Sequence, residues 1–243
     1  MKLLIKNDYK ELSLEAAKII AGEINKKPDL VMCLPTGSSP VGTYKQLIWM
    51  NENDDVDFSK VVTFNLDEYV GLGPKDKNSY RRFMDSNLFD HININHDNVN
   101  IPSGIAANME NECRRYNKKL DMYPEKDFLL SGIGQNGHIG FNEPADRLFA
   151  RTHTIDLTSN TIAANARFFD NDINKVPKSA ITMGVADILH FKKVVLVACG
   201  TAKAPIIKEL VTSKTIDTHN TSTLLYLHND VTVIVDKEAA SLL

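Results

Sequence analysis

Apolar positions recur along this chain in two alternating rhythms. Short apolar runs stand at Met1–Lys6, Leu30–Leu34, Val61–Leu66, Asp127–Ser131, Lys193–Ala198, Thr223–Leu227 and Val231–Asp236, and they predict strands. Between them the spacing is helical. Leu12, Ala16, Ile19, Ile20 and Ile24 make one stripe over Asp8–Lys26. Further helices are predicted over Pro40–Met50, Ser79–Leu88, Ala106–Met122, Thr158–Phe169 and Ala202–Val211. Pro40 and Pro205 fall in first turns, where proline is tolerated, and Thr158 and Ser159 are start signals. Residues 90–104, rich in Asn and His, read as a surface connection. Alternation of this kind predicts a single-domain α/β fold over residues 1–243: a mostly parallel open sheet, Rossmann-like, with helices on both faces. In such sheets ligands bind beyond the carboxyl ends of strands.

Composition narrows the classes. Hydrophobic residues make up 43% of the 243, enough for a sizeable core, and the net charge of −3 with no basic stripe argues against nucleic acid. The three cysteines, Cys33, Cys113 and Cys199, lack metal spacing; Cys33 and Cys199 lie in apolar runs, as core thiols do in a reducing compartment. Neither a signal peptide nor an apolar run of about 20 residues is present. The expectation is a soluble cytoplasmic protein that needs no membrane partner and no metal.

Candidate chemistry gathers at strand ends. The run Phe128–Leu130 stops at Ser131, and Gly132, Gly134, Gly137 and Gly140 follow, with Asn136, His138 and Glu143 among them. Gly132, Gly134 and Gly137 satisfy Gly-x-Gly-x-x-Gly, and Asp156 lies about 20 residues on, as a dinucleotide site asks. That fingerprint also requires a helix immediately afterwards, and Gly140 and Pro144 interrupt one, so a nicotinamide cofactor is not expected. Leu34-Pro-Thr-Gly-Ser-Ser-Pro40 joins a strand to a helix; Thr36, Gly37, Ser38 and Ser39 there offer amides and hydroxyls to an anion. No Walker lysine is present, so a sugar phosphate fits better than a nucleotide. Asp67 and Glu68 sit just past the next strand, where a carboxylate can abstract a proton from carbon or simply cap a helix. Arg167 and Lys203 can each reach a phosphate, or be surface charges.

Taken in order, Leu-Pro-Thr-Gly-Ser-Ser-Pro, Asn-Leu-Asp-Glu-Tyr-Val-Gly-Leu, Asn78-Ser79-Tyr80, Gly-Ile-Gly-x-Asn-Gly-His-Ile-Gly-Phe-Asn-Glu-Pro and Gly200-x-x-Lys203-Ala204 resemble the glucosamine-6-phosphate deaminase (isomerase) family, of the shorter type. The resemblance covers nearly the whole chain. It implies conversion of glucosamine 6-phosphate and water to fructose 6-phosphate and ammonia in amino-sugar catabolism, without cofactor or metal. It assigns ring opening to His138, orientation of His138 to Glu143 and Asn136, and proton transfer between C2 and C1 to Asp67. Thr36, Gly37, Ser38, Ser39, Arg167 and Lys203 match the family's phosphate-binding positions.

One departure stands at position 136, where many members carry Asp; an amide there removes a charge but can still accept a hydrogen bond from the imidazole. The related 6-phosphogluconolactonases share the fold and the Gly-x-Gly-x-x-Gly-His loop without the Phe-Asn-Glu-Pro continuation. Sugar-phosphate sensors on this fold need an attached DNA-binding domain, and Met1 opens directly on the first strand. Longer members carry an effector site with an Arg and a Lys where this chain has His153 and Ile155, after Arg151, so no allosteric activation is expected. The oligomeric state stays open between monomer and homo-oligomer.

Overall fold

Seven strands of this chain pair in parallel, in the order β1-β10-β9-β6-β2-β3-β5. They are β1 (Lys2–Lys6), β2 (Val31–Leu34), β3 (Val62–Asn65), β5 (Val99–Asn100), β6 (Lys126–Ser131), β9 (Phe191–Ala198) and β10 (Val231–Asp236). The structure is a computed structural model describing residues 1–243. Helices α1 (Tyr9–Lys26), α2 (Val41–Glu52), α3 (Tyr80–Asn87), α4 (Met109–Asp121), α5 (Ser159–Asn165), α6 (Val185–Leu189) and α7 (Ala204–Thr212) connect or flank the strands. Caps fix where several of them begin. Asp8 accepts from the Glu11 amide at α1, Ser79 from Arg82 at α3 and Asn108 from Asn111 at α4.

The central strands are buried on both faces, which is why they read as continuous apolar runs. Met32, Leu34, Phe128, Leu130, Val195 and Val197 pack with Leu12 and Ile20 of α1 and Tyr44 and Leu47 of α2. Their neighbours Val31, Cys33, Leu129, Val194 and Leu196 turn the other way, onto Tyr116 and Leu120 of α4 and Ile207 and Leu210 of α7. Each fully buried Leu, Ile or Val contributes ~1.5–3 kcal/mol, so period-2 alternation across two helical layers locks the register.

A second, antiparallel sheet was not expected: β4 (Asp67–Tyr69), β8 (Ser179–Thr182) and β7 (His153–Asp156), in the order β4-β8-β7. These strands are short and half polar, so no apolar run marks them. Only Leu66 separates β3 from β4, so the chain passes from one sheet directly into the other. Tyr69, Phe141, Leu157, Phe169, Val176 and Ala180 form a third, smaller core beneath this sheet. One predicted strand is corrected. Thr223–Leu227 belongs to a 3₁₀ segment, Thr221–Leu227, because its hydroxyls bond locally and to a loop across the molecule. The 90–104 connection contains two 3₁₀ turns and the short edge strand β5.

Candidate active site

The carboxyl ends of β2, β3, β6 and β9 open into a cleft of about 960 Å³. Nine of the ten residues singled out from the sequence line it, and the tenth, Glu143, lies buried behind His138.

The β2–α2 loop forms one wall. Gly37 has φ +93°, a conformation that glycine adopts without strain. Tyr9 of α1 pins the loop from below: its hydroxyl lies 3.0 Å from the Ser38 carbonyl and 3.1 Å from that of Ser39, and accepts from the Gly42 amide at 2.7 Å. The amides of Gly37, Ser38 and Ser39, which line the cleft, have no acceptor within the chain and so are free to donate to an anion. Two cations approach the same end. Lys203 Nζ donates to the Ile133 carbonyl at 2.6 Å. Burial, then the Arg167 charge, pushes its pKa down to about 8. Arg167 has no carboxylate partner and lies over the Phe168 ring, 4.7 Å from its centroid.

The glycine loop after β6 forms the second wall. No helix follows it; the Gly134 amide donates to the His138 carbonyl at 2.9 Å, closing the loop on itself, so the dinucleotide pattern is not realised. Gly134 is required for space: a Cβ there would meet the His138 ring at 2.5 Å. His138 Nδ1 lies 3.5 Å from Glu143 Oε2, an ion-pair distance too long for a well-formed hydrogen bond. Asn136 differs from the sequence expectation. Its amide nitrogen donates to Glu143 Oε2 at 2.7 Å, and its oxygen accepts from the His138 backbone amide at 3.3 Å, so it touches the carboxylate and the loop rather than the imidazole. Burial raises the pKa of Glu143, but His138, Thr161 and Asn136 together outweigh it and hold the carboxyl below its ordinary value.

Asp67 and Glu68 separate into two roles. Glu68 accepts from the backbone amides of Tyr69, Tyr80 and Arg81 at 2.8, 2.9 and 2.9 Å, the last two at the start of α3. Asp67, 6% exposed, lines the cleft with no hydrogen-bond donor. Burial, and then the neighbouring Glu68 charge, pushes its pKa up to about 8. An unpaired, desolvated carboxylate is a strong base once ionised.

Sequence reasoning missed the groups that hold this arrangement. Thr161 and Thr158 contact Glu143. Thr182 Oγ1 accepts from the Phe141 amide at 3.0 Å. Thr221 donates to the Gly137 and Asn142 carbonyls at 3.1 and 3.0 Å. Each is a lone hydroxyl far along the chain from its partner, with no local pattern to mark it.

Comparison with known proteins places the chain. The sequence model of the glucosamine-6-phosphate isomerases/6-phosphogluconolactonase family matches residues 7–230. A glucosamine-6-phosphate deaminase of Thermoanaerobacter sp. (strain X514) is 49% identical over 243 residues, all of this chain and 95% of the relative. Its counterpart in Clostridium perfringens (strain 13 / Type A) is 47% identical, with both chains covered in full. A solved structure described as a monomeric glucosamine-6-phosphate deaminase superposes with a TM-score of 0.97 at 44% identity over both whole chains. The 6-phosphogluconolactonase from Trypanosoma cruzi, at a TM-score of 0.74 and 20% identity over 100% of this chain and 96% of its own, shares the fold. With such identity from end to end, the chain belongs to the glucosamine-6-phosphate isomerase/6-phosphogluconolactonase family, on its deaminase side.

Proposed function

We propose that this protein is a glucosamine-6-phosphate deaminase, converting glucosamine 6-phosphate and water to fructose 6-phosphate and ammonia. The observation that carries the reading is Asp67: a buried carboxylate with no donor of its own, in a cleft that also holds a His–Glu pair and an anion cradle. A lactone hydrolase has no use for a carbon base. The phosphate sits on the Gly37, Ser38 and Ser39 amides, with Thr36, Arg167 and Lys203 around it. His138, supported by Glu143, moves the proton that opens the pyranose ring. Asp67 takes the C2 proton from the open aldehyde, giving an enolamine, and returns it to C1. Water adds to the resulting C2 iminium, and ammonia leaves as the ketone forms. Every step uses acid–base groups of the chain alone.

The reading extends to setting. The chain works in the cytoplasm, in amino-sugar catabolism, and as a monomer; the 44% identical relative described as monomeric supports the last point. No helix is long and apolar enough to cross a membrane. A coupled assay for ammonia and fructose 6-phosphate on purified protein is the test. Hydrolysis of 6-phosphogluconolactone without ammonia release from the amino sugar would overturn the reading.

A further inference from the structure

Glu143 is separated from the cleft by His138, and its two oxygens are held differently. Oε2 has Asn136 Nδ2 at 2.7 Å, Thr158 Oγ1 at 3.3 Å and His138 Nδ1 at 3.5 Å. Oε1 has one donor, the hydroxyl of Thr161. Glu143 is 5% exposed and Thr161 4%, so water does not substitute. Removing that hydroxyl leaves half of a buried carboxylate without a partner. The carboxylate then turns away from His138 or takes up a proton.

The Thr161 hydroxyl also accepts from Thr158 Oγ1 at 3.1 Å, but the backbone cap does not pass through it. The cap of α5 is made by Thr158, whose Oγ1 accepts from the Thr161 backbone amide at 3.3 Å. Valine at 161 keeps the amide, the shape and the branching at Cβ. The Thr161 hydroxyl is therefore separable from the fold, unlike Thr158, which serves both the cap and Glu143. The segment that begins with Thr161 runs on through Asn165, whose side chain donates to Tyr69 Oη at 2.8 Å, to Arg167 at the phosphate end of the cleft. One short stretch thus touches the acid–base pair and the anion cradle.

We propose that Thr161 is a positioning residue: through its hydroxyl on Glu143 Oε1 it fixes the carboxylate against His138, and so sets the rate of the step His138 performs. The inference rests on the deaminase reading above.

The experiment compares Thr161→Val, Thr161→Ser and wild type in ammonia release across pH, with thermal unfolding as the control for folding. Wild type must release ammonia; if it does not, the deaminase reading fails and Thr161 is not yet at issue. Given that release, Thr161→Val lowers kcat by about 10- to 100-fold, the scale of one charge-assisted hydrogen bond, with KM nearly unchanged. The acid limb of its pH profile moves to higher pH, because Glu143 has lost a donor that favours its charged form. Thr161→Ser restores both. Should the valine variant unfold, Thr161→Ala, with the best helix former in place, takes the same comparison. A variant without the hydroxyl that keeps the wild-type kcat and pH profile overturns the proposal, as does a serine variant no better than valine.

Discussion

Asp67 and Glu68 are neighbours in sequence and opposites in surroundings. Glu68 gathers three backbone amides, while the Asp67 carboxylate receives no donor from the chain. Two amides at the start of α3 and the amide of Tyr69 hold Glu68 as structure, although burial still pushes its pKa up to about 7. The unsatisfied neighbour carries an electrostatic cost in the folded state, and that cost is measurable.

Asp67→Asn is therefore expected to inactivate and to stabilise. Exchange of the C2 hydrogen with deuterated water falls by about 10²–10⁴-fold, the range of general base catalysis, while sugar-phosphate binding persists. Because the folded pKa is raised to about 8, the contribution of Asp67 to stability is most favourable at low pH and is lost as pH climbs from the unfolded value of about 3.9 towards 8. The asparagine variant escapes this loss. Its unfolding free energy exceeds that of wild type by a margin that widens between pH 4 and pH 8, on the order of a few kcal/mol at the upper end, read by thermal or denaturant unfolding at each pH. Undiminished exchange would move the base elsewhere.

The two cations predict a pH-dependent affinity. Arg167→Ala and Lys203→Ala each weaken phosphate binding by about 1.5–3 kcal/mol. Lys203, with its pKa pushed down to about 8, loses its charge in the free protein as pH passes that value, so affinity for a phosphate analogue declines above pH 8. Titration calorimetry from pH 7 to 9 reads this, and Lys203→Arg flattens the dependence, since guanidinium stays charged. Affinity flat across that range in wild type counts against Lys203 as a ligand.

Position 136 offers a charge to add. Asn136→Asp sets a second carboxylate where an amide now donates to Glu143 at 2.7 Å. Two carboxyl groups at that distance share a proton, so one pKa of the pair rises and the acid limb of kcat/KM moves to higher pH. His138→Gln slows a cyclic substrate far more than one already open. Equal losses on both argue against ring opening by His138.

The effector positions of longer relatives are spoken for here. Arg151 is engaged by Asp187 at 3.0 Å and Asp121 at 2.7 Å. His153 is buried, donates from Nδ1 to the Arg151 carbonyl and stacks on Phe149; burial pushes its pKa down, against the pull of that carbonyl, so it is neutral at pH 7.5. The rate is expected to depend hyperbolically on substrate, with or without N-acetylglucosamine 6-phosphate. A sigmoidal curve made hyperbolic by that compound would sink this prediction.

What was legible in the sequence was local. His138, Asn136 and Glu143 share one loop, and Thr36 to Ser39 share another, so short spacing displayed them together. Six of the seven predicted apolar strands, and helices beginning near Asp8 and Ser79, were readable for the same reason. The antiparallel sheet was not: Asp67–Tyr69 and Ser179–Thr182 meet across more than a hundred residues, and their pairing is decided by that meeting rather than by apolar content. Thr161 and Thr221 escaped notice because a hydroxyl takes its meaning from the atom it faces. Thr223–Leu227 misled because a short apolar run reads as a strand, yet Leu227 is 61% exposed and the segment's hydroxyls turn it into a tight coil.

The strand order has a consequence for synthesis. At the sheet edge β1 bonds only to β10, with Leu3 against Val233 and Ile5 against Val235. During translation β2, β3 and β6 can find one another while the remainder is still being made, and β9 can join β6 as it emerges. Of the strands in the sheet, β1 is made before the others and β10, its one partner, after them. β1 can therefore join only after the middle of the sheet has had its chance to form, and its edge leaves Leu3 and Ile5 on exposed surface even once it is paired.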